Sequence, residues 1–146
     1  MGGLIGGVSP DKDGLVPKNK VYSLGFNKNI NPGQVVKIQD INGPSEIRVF
    51  ISNGPSWNSE KPNIILLHTS YDGGDPNITA WGIMQGSSFS NIRLYKRGQD
   101  VYIANTYTYS TQISIDVISN DGNTIRISAL SENGLNLLEE EKLSIG

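Results

Sequence analysis

One histidine and 14 acidic residues are the side chains of this sequence that could act as catalytic acids or bases. There is no cysteine, which excludes thiol nucleophiles and thiolate zinc sites, and a single histidine excludes a two-histidine metal site within one chain. A Ser-His-Asp arrangement would need His68, which ends an apolar run, and the chain has no Gly-x-Ser-x-Gly turn. We therefore expect His68 to be a packed or hydrogen-bonded residue at the end of a strand.

The acidic residues could hydrolyse glycosides if two carboxylates faced each other across a cleft. Most aspartates lie in turn-like stretches, where Asp side chains bond to the local backbone, and the acidic run Glu139–Glu141 is expected to face solvent. Nothing in the sequence pairs two acids in space. We predict that the protein is not an enzyme, and a hydrolase with a carboxylate pair remains the alternative.

Asp72-Gly73-Gly74-Asp75, together with Asn77, offers oxygen ligands of the kind that calcium takes. The stretch does not fit the helix-flanked pattern of the common calcium loop, so a Gly-rich turn is the simpler interpretation. The sequence therefore predicts no metal site and no cofactor, and it leaves calcium binding near Asp72 and Asp75 open.

Aromatic residues in turn-rich stretches are the best candidates for ligand contacts. Their rings supply contact area at a low entropic cost, and neighbouring amides and hydroxyls can fix the orientation of a ligand. Trp81 lies within an apolar stretch and is expected in the core instead. The predicted ligand-binding residues are Trp57, Asn58, Tyr71, Asp72, Tyr107 and Tyr109.

The charge and hydropathy of the chain argue against two classes of partner. A formal net charge of −2 and a pI near 5.3 provide no cluster of cations for the phosphates of a nucleic acid. No apolar run approaches the roughly 20 residues of a membrane span, and the N-terminal stretch lacks the pattern of a signal peptide. We expect a soluble domain that binds no nucleic acid and does not insert into a membrane.

From Val21 onward, apolar residues alternate with polar ones, which is the period of a strand with one buried face. The continuous apolar run Ile64–Leu67 suggests a central strand that is covered on both faces, and Asn133–Lys142 allows at most one short helical turn. The predicted strands are Tyr22–Phe26, Gln34–Ile41, Glu46–Ile51, Asn63–Thr69, Ile78–Gln85, Asn91–Arg97, Val101–Asn105, Gln112–Val117, Thr124–Ser128 and Leu143–Ile145.

Two pairs of these strands are predicted to form hairpins. Gly98-Gln99-Asp100 joins one pair, and Asn120-Asp121-Gly122-Asn123 joins the other. The Asp-Gly dipeptide tolerates the positive φ of a tight turn, so the second hairpin has the stronger turn sequence.

Short strands, many turns and the lack of helices favour an all-β fold, an antiparallel β-sandwich that is jelly-roll-like. Residues 1–20 are rich in Gly and Pro and show no apolar period, so they are predicted to form an extended linker or neck. Residues 21–146 are then the β-sandwich binding domain.

Two stretches resemble the distal, receptor-binding head domains of bacteriophage tail fibres. Ser9–Lys20 is similar to the Gly-Leu-Met-Ser/Pro linker and following lysine that precede such domains, with Val16-Pro17 where Met-Ser is frequent. Ile92–Ile103 is similar to their near-terminal hairpin, in which a strand ending in Lys and Gly precedes a strand with Val-Tyr-Ile.

The resemblance implies a homotrimeric head, joined through the neck and the sandwich, that binds a host cell-surface glycan or protein without catalysis. It also implies a place in the virion tail, extracellular when functional, after synthesis in the bacterial cytoplasm. The alternative function is a monomeric carbohydrate-binding or adhesin module of a bacterial surface protein.

Overall fold

A computed structural model describes residues 22–52, 63–70, 75–83, 92–119 and 125–146 of the chain. In these residues the chain forms ten strands and a short 3-10 helix at Glu139–Glu141. None of the helical structure there is long and apolar enough to cross a membrane. The strands, β1 to β10 in order, are Tyr22–Ile30, Gln34–Gln39, Ser45–Ser52, Asn63–Ser70, Asn77–Ile83, Ile92–Arg97, Asp100–Asn105, Thr111–Ser119, Arg126–Ser131 and Lys142–Leu143.

The ten strands form two antiparallel five-stranded sheets that share one core. Sheet A has the order β1-β8-β3-β4-β5, and sheet B has the order β10-β6-β7-β2-β9. Because β1 pairs with β8 and β2 pairs with β7, the first strands pair with late ones, a wrapped arrangement that is jelly-roll-like. The prediction of an all-β antiparallel sandwich is confirmed. The predicted neck, residues 1–20, lies outside the described residues.

In sheet A, alternation along the strands puts one side chain in two into the core. In β3, Ile47, Val49 and Ile51 are buried, whereas Glu46, Arg48 and Phe50 face outward. Each fully buried Val, Ile or Leu side chain contributes roughly 1.5–3 kcal/mol relative to an exposed one. The fully buried large side chains are Ile30, Ile38, Ile41, Ile47, Ile51, Ile65, Leu67, Leu94, Ile103, Ile113, Ile115 and Ile125.

The outer face of sheet B is covered by the chain that follows β9. Leu135 and Leu137 of this segment pack against a second apolar cluster on that face. The cluster consists of Val35, Tyr95, Tyr102 and Ala104. Sheet B is therefore buried on both of its faces over this area.

Arg97, at the end of β6, fastens this covering segment. Its guanidinium binds the Glu141 carboxylate through two hydrogen bonds, Nε to Oε2 at 2.6 Å and Nη2 to Oε1 at 2.7 Å. It also donates to the carbonyl oxygens of Leu135 at 2.8 Å and Asn136 at 2.9 Å. The hydrogen bonds from Arg97, followed by the one from the Leu138 amide, lower the pKa of Glu141 from 4.5 to about 2. The expectation that Glu141 simply faces solvent is therefore wrong.

The predicted hairpin at Gly98–Asp100 is confirmed, with Gly98 at a φ of 61° between β6 and β7. The hairpin predicted around Asp121-Gly122 is wrong. Its first strand, β8, lies between β1 and β3 in sheet A, and its second, β9, pairs with β2 in sheet B. Both edges of β8 are occupied, so β9 has no edge of that strand to pair with.

Two expectations about the surroundings of sheet A residues are also wrong. Within Ile64–Leu67, only Ile65 and Leu67 are buried, and the alternate residues Ile64 and Leu66 are half-buried on the outer face. Trp81, expected in the core, is 57% exposed. Both differences have one cause, because sheet A, unlike sheet B, is not covered on its outer side by another segment of the described chain.

Candidate functional site

Tyr107 and Tyr109, two of the predicted ligand-binding residues, lie in the connection between β7 and β8. Their rings meet edge to face, with centroids 5.7 Å apart and planes at 71°. The Tyr109 side chain is 52% exposed and Tyr107 is half-buried. The pair therefore offers an aromatic surface at one end of the sandwich.

The side chain of Asn105, which is buried, fixes this connection. Its Nδ2 donates to the carbonyl oxygens of Ile30 at 2.9 Å and Tyr109 at 3.0 Å, and its Oδ1 accepts from the Tyr107 amide at 2.8 Å. A buried amide whose donors and acceptor are all used holds its surroundings in one arrangement, because any displacement leaves a polar group unpaired. The two tyrosines are thus presented by a well-anchored loop.

The other predicted ligand-binding residues, Trp57, Asn58, Tyr71 and Asp72, lie outside the described residues. Ser52, the last described residue before Trp57, pairs with Gln112 at the start of β8. Ser70, the last described residue before Tyr71, lies at the opposite end of sheet A, because β4 runs antiparallel to β3. Of the proposed calcium loop, only Asp75 and Asn77 are described. Across the described ranges, no three His, Asp or Glu side chains form a group that could hold a metal ion.

The outer face of sheet A, called the open face below, carries exposed apolar side chains that the sequence predictions left out of the site. Trp81 is 57% exposed, Ile118 is 39% exposed and Phe50 is 36% exposed. The register places them among polar groups in rows that run across the strands. One row contains Gly25, Asp116, Arg48, Leu66 and Trp81, and the next contains Asn27, Ser114, Phe50, Ile64 and Ile83.

Trp81 is held in place on this face although its ring faces solvent. The indole Nε1 donates to the Thr79 hydroxyl at 3.3 Å. Gly146 bonds to the backbone of Ala80 and Gly82, and it lies so near the indole that an added Cβ would be 3.3 Å from the ring atom Cε3. An exposed ring restrained in this way can bind a ligand without first losing much conformational freedom.

A shallow trough of about 460 Å³ lies on the open face beside Phe50. It lies over Gly25, where an added Cβ would meet no atom within 4 Å. Asn27 Oδ1 accepts hydrogen bonds from Gln112 Nε2 at 2.7 Å and Ser114 Oγ at 3.0 Å beside it. The residues lining the trough are Gly25, Phe26, Asn27, Phe50, Ser114, Ile115 and Asp116.

His68 lies at the other end of the open face. Its Nδ1 is 2.5 Å from Glu46 Oε1, and both side chains are more than half exposed. The pair borders a smaller depression of about 150 Å³ with Ile118. The expectation of a hydrogen-bonded histidine at a strand end is confirmed.

Alternation along β5 could have placed Trp81 correctly. Ile78 and Ala80 are buried, and Trp81 shares the opposite face with Asn77 and Thr79. The same period already put Phe50 on the outer face with Glu46 and Arg48. The missing information was that no other part of the described chain covers this face.

Comparisons with known proteins give one informative match. No protein-family model matches the chain, and no curated protein sequence matches it. Among solved structures it is similar to the tailspike protein gp49 of the Acinetobacter baumannii bacteriophage Fri1, a capsular polysaccharide depolymerase. The TM-score is 0.54 at 14% sequence identity, over 78% of this chain and 20% of that chain. The chain thus shares its fold with part of a phage tailspike and spans about a fifth of its length.

This comparison contradicts the prediction that the protein is not an enzyme, because a solved protein with a similar fold is a depolymerase. The prediction rested on the lack of paired acids and of a catalytic histidine in the sequence. The lack of such residues does not settle whether this chain takes part in catalysis, because a similar fold occurs within a larger enzyme.

Proposed function

We propose that the chain is a domain of a bacteriophage tail protein, a fibre or a tailspike, that binds a polysaccharide of the host cell surface. The binding surface is the open face of sheet A. The observation that carries the proposal is the exposure of Trp81 and Phe50 on one face of sheet A, with a trough lined by hydrogen-bonding groups beside Phe50. The fold shared with part of a phage tailspike supports the same assignment.

The chemistry of this face suits a sugar chain. Sugar rings present C–H groups that pack on aromatic faces and hydroxyls that need polar partners, and the open face supplies both kinds of contact. An exposed apolar patch with a polar surround marks an interaction site in a soluble domain. A flat, open surface also allows a long polymer to enter from either side.

The natural setting of the domain follows from the same proposal. We propose a homotrimer, assembled through the neck and the sandwich and located in the virion tail, so that three weak sites act together on one cell surface. A bacterial adhesin module would use the same binding chemistry. The fold shared with part of a tailspike favours the phage protein.

The direct test is binding of the full chain to an array of bacterial surface polysaccharides. We expect Trp81→Ala to weaken binding by about tenfold or more, since a few large aromatic contacts dominate the binding energy of such surfaces. Leu138→Ala is the matched control, because Leu138 is also a large exposed apolar residue, at 47%, but lies outside the open face. Tyr109→Ala in the same assay measures whether the β7–β8 connection takes part.

Wild-type binding by both Trp81→Ala and Phe50→Ala would show that the open face is not the polysaccharide site. Binding of the wild-type chain to a host surface protein, with no polysaccharide bound, would contradict the proposed ligand class.

A further inference from the structure

We propose that the trough over Gly25 is a subsite for one uncharged sugar residue of the polysaccharide. This inference rests on the proposed function and adds the position and the charge of the sugar that the domain selects. It comes from the shape of the trough, the polar groups at its sides and the sign of its charge.

The shape of the trough depends on a glycine in the middle of a strand. Gly25 is the fourth residue of β1, directly opposite Asp116 in β8. Glycine weakens a strand interior, and it has a purpose where something must approach the backbone closely. Apart from Gly25 and its two neighbours in the chain, no described atom lies within 4 Å of the position that a Cβ would take there, so the space is open to a ligand.

The sides of the trough provide complementary contacts for a sugar ring. Phe50 forms an apolar side and is 36% exposed, so part of its ring remains available for contact. Asn27 is fixed by the hydrogen bonds that its Oδ1 accepts from Gln112 and Ser114, and its amide group brings two N–H donors. Asp116 adds a carboxylate that accepts hydrogen bonds from hydroxyls.

The carboxylate of Asp116 disfavours an acidic sugar in the trough. Asp116 is the one ionisable side chain among the described residues that line it. Arg48 is its cross-strand neighbour in β3 but is not part of the lining. A sugar carboxylate at about 4 Å from that of Asp116 would lose about 1 kcal/mol in water, a factor of about five in affinity. Neutral hexoses carry no such penalty.

The experiment follows the backbone amide resonances of the full chain while methyl glycosides are added. The probes are the methyl glycosides of glucose, galactose and mannose, and those of glucuronic and galacturonic acid. We expect a neutral glycoside to shift the resonances of Gly25, Asn27, Ser114 and Asp116. The uronic acids should bind about fivefold more weakly at low salt, and Asp116→Asn should remove that difference.

Gly25→Val places a branched side chain in the trough, and its Cβ meets no atom of another strand within 4 Å. Valine favours strands, so the variant should fold with an unchanged or higher Tm. Asn29→Val is the matched control, because Asn29 lies on the same face of β1, four residues after Gly25, and does not line the trough. We expect Gly25→Val to weaken polysaccharide and methyl glycoside binding by about tenfold or more, and Asn29→Val to leave both unchanged.

The outcomes separate this inference from the proposed function. If Trp81→Ala abolishes polysaccharide binding while folded Gly25→Val binds normally, the trough subsite is wrong and the function of the open face stands. The subsite is also wrong if only the uronic acids shift the resonances, or if the shifts occur only at residues outside the trough. It is equally wrong if none of the five glycosides causes a shift. If no polysaccharide binds the wild-type chain, the proposed function fails with it.

Discussion

At the scale of single residues, the structure divides polar and aromatic side chains into anchors and exposed contact groups. Asn105 and Arg97 have hydrogen-bond partners in distant segments and hold those segments on the sandwich. Trp81 and Phe50 instead expose much of their ring surface. The anchors determine the stability and shape of the domain, and the exposed rings are available for binding.

The ion pair between Arg97 and Glu141 should make stability depend on acidic pH. The pKa of Glu141 is lowered to about 2 in the folded protein, below its ordinary 4.5. A lowered pKa contributes stability that is fully present above about pH 4.5 and is lost as the pH falls from there toward 2. We expect Tm to fall over this range in the wild-type protein and to fall less in Glu141→Gln.

At neutral pH, Glu141→Gln should lower Tm by a few degrees, because glutamine cannot form the charged two-bond pair with Arg97. Glu140→Gln is the control, because Glu140 is next to Glu141 in the chain and its side chain is exposed. Equal steepness of the Tm profiles of wild type and Glu141→Gln below pH 4.5 would contradict the assignment.

At the scale of elements, the alternation of apolar and polar residues predicts where most strands lie, but it does not predict which strands pair. Nearly every predicted strand is found, with shifts of a few residues at the ends. The one clear failure concerns β8 and β9, where the Asp-Gly turn pattern predicts a hairpin and the strands lie in different sheets. Turn sequences act locally, whereas the edges of β8 are occupied by β1 and β3, which come much earlier in the chain.

Adjacent leucines in β4 test the assignment of its two faces. Leu67 is fully buried between the sheets, and Leu66 is half-buried on the open face. We expect Leu67→Ala to lower the free energy of unfolding by about 2–5 kcal/mol, and Leu66→Ala to lower it by roughly half as much or less. Denaturant unfolding of both variants measures the difference. Equal losses for the two variants would mean that sheet A is covered on both sides.

At the scale of the whole molecule, the two outer faces of the sandwich differ. Sheet B carries the segment that ends in Glu141, fastened by Arg97, while sheet A presents Trp81 and Phe50. Among the described residues, one outer face is covered and the other presents a broad surface to a polymer. This asymmetry is the reason why the open face, rather than the loops alone, forms the candidate site.

The proposed trimer makes a prediction for the whole assembly. Sedimentation velocity of the full chain should show a trimer, and Trp81 should stay accessible to solvent in it. In a Trp57→Phe background the remaining tryptophan is Trp81, so acrylamide quenching of its fluorescence reports that access. A clean monomer would contradict the trimer. A trimer in which Trp81 is shielded would mean that the open face joins subunits instead of binding a polysaccharide.

The sequence by itself determined most of the strands, the core-facing side of β3 and the all-β sandwich, because a period of two is a local property of the chain. It also indicated Tyr107 and Tyr109 as aromatic residues of a turn-rich stretch, which the structure places together. Whether they bind a ligand stays a prediction.

Only the tertiary structure decided which sheet each strand joins and which outer face stays open. Arg97 reaches Glu141 across 44 residues, and Gly25 meets Asp116 through the pairing of an early strand with a late one. Local patterns carry no information about contacts between such distant residues. For that reason the sequence places Trp81 in the core, whereas it is exposed on the open face.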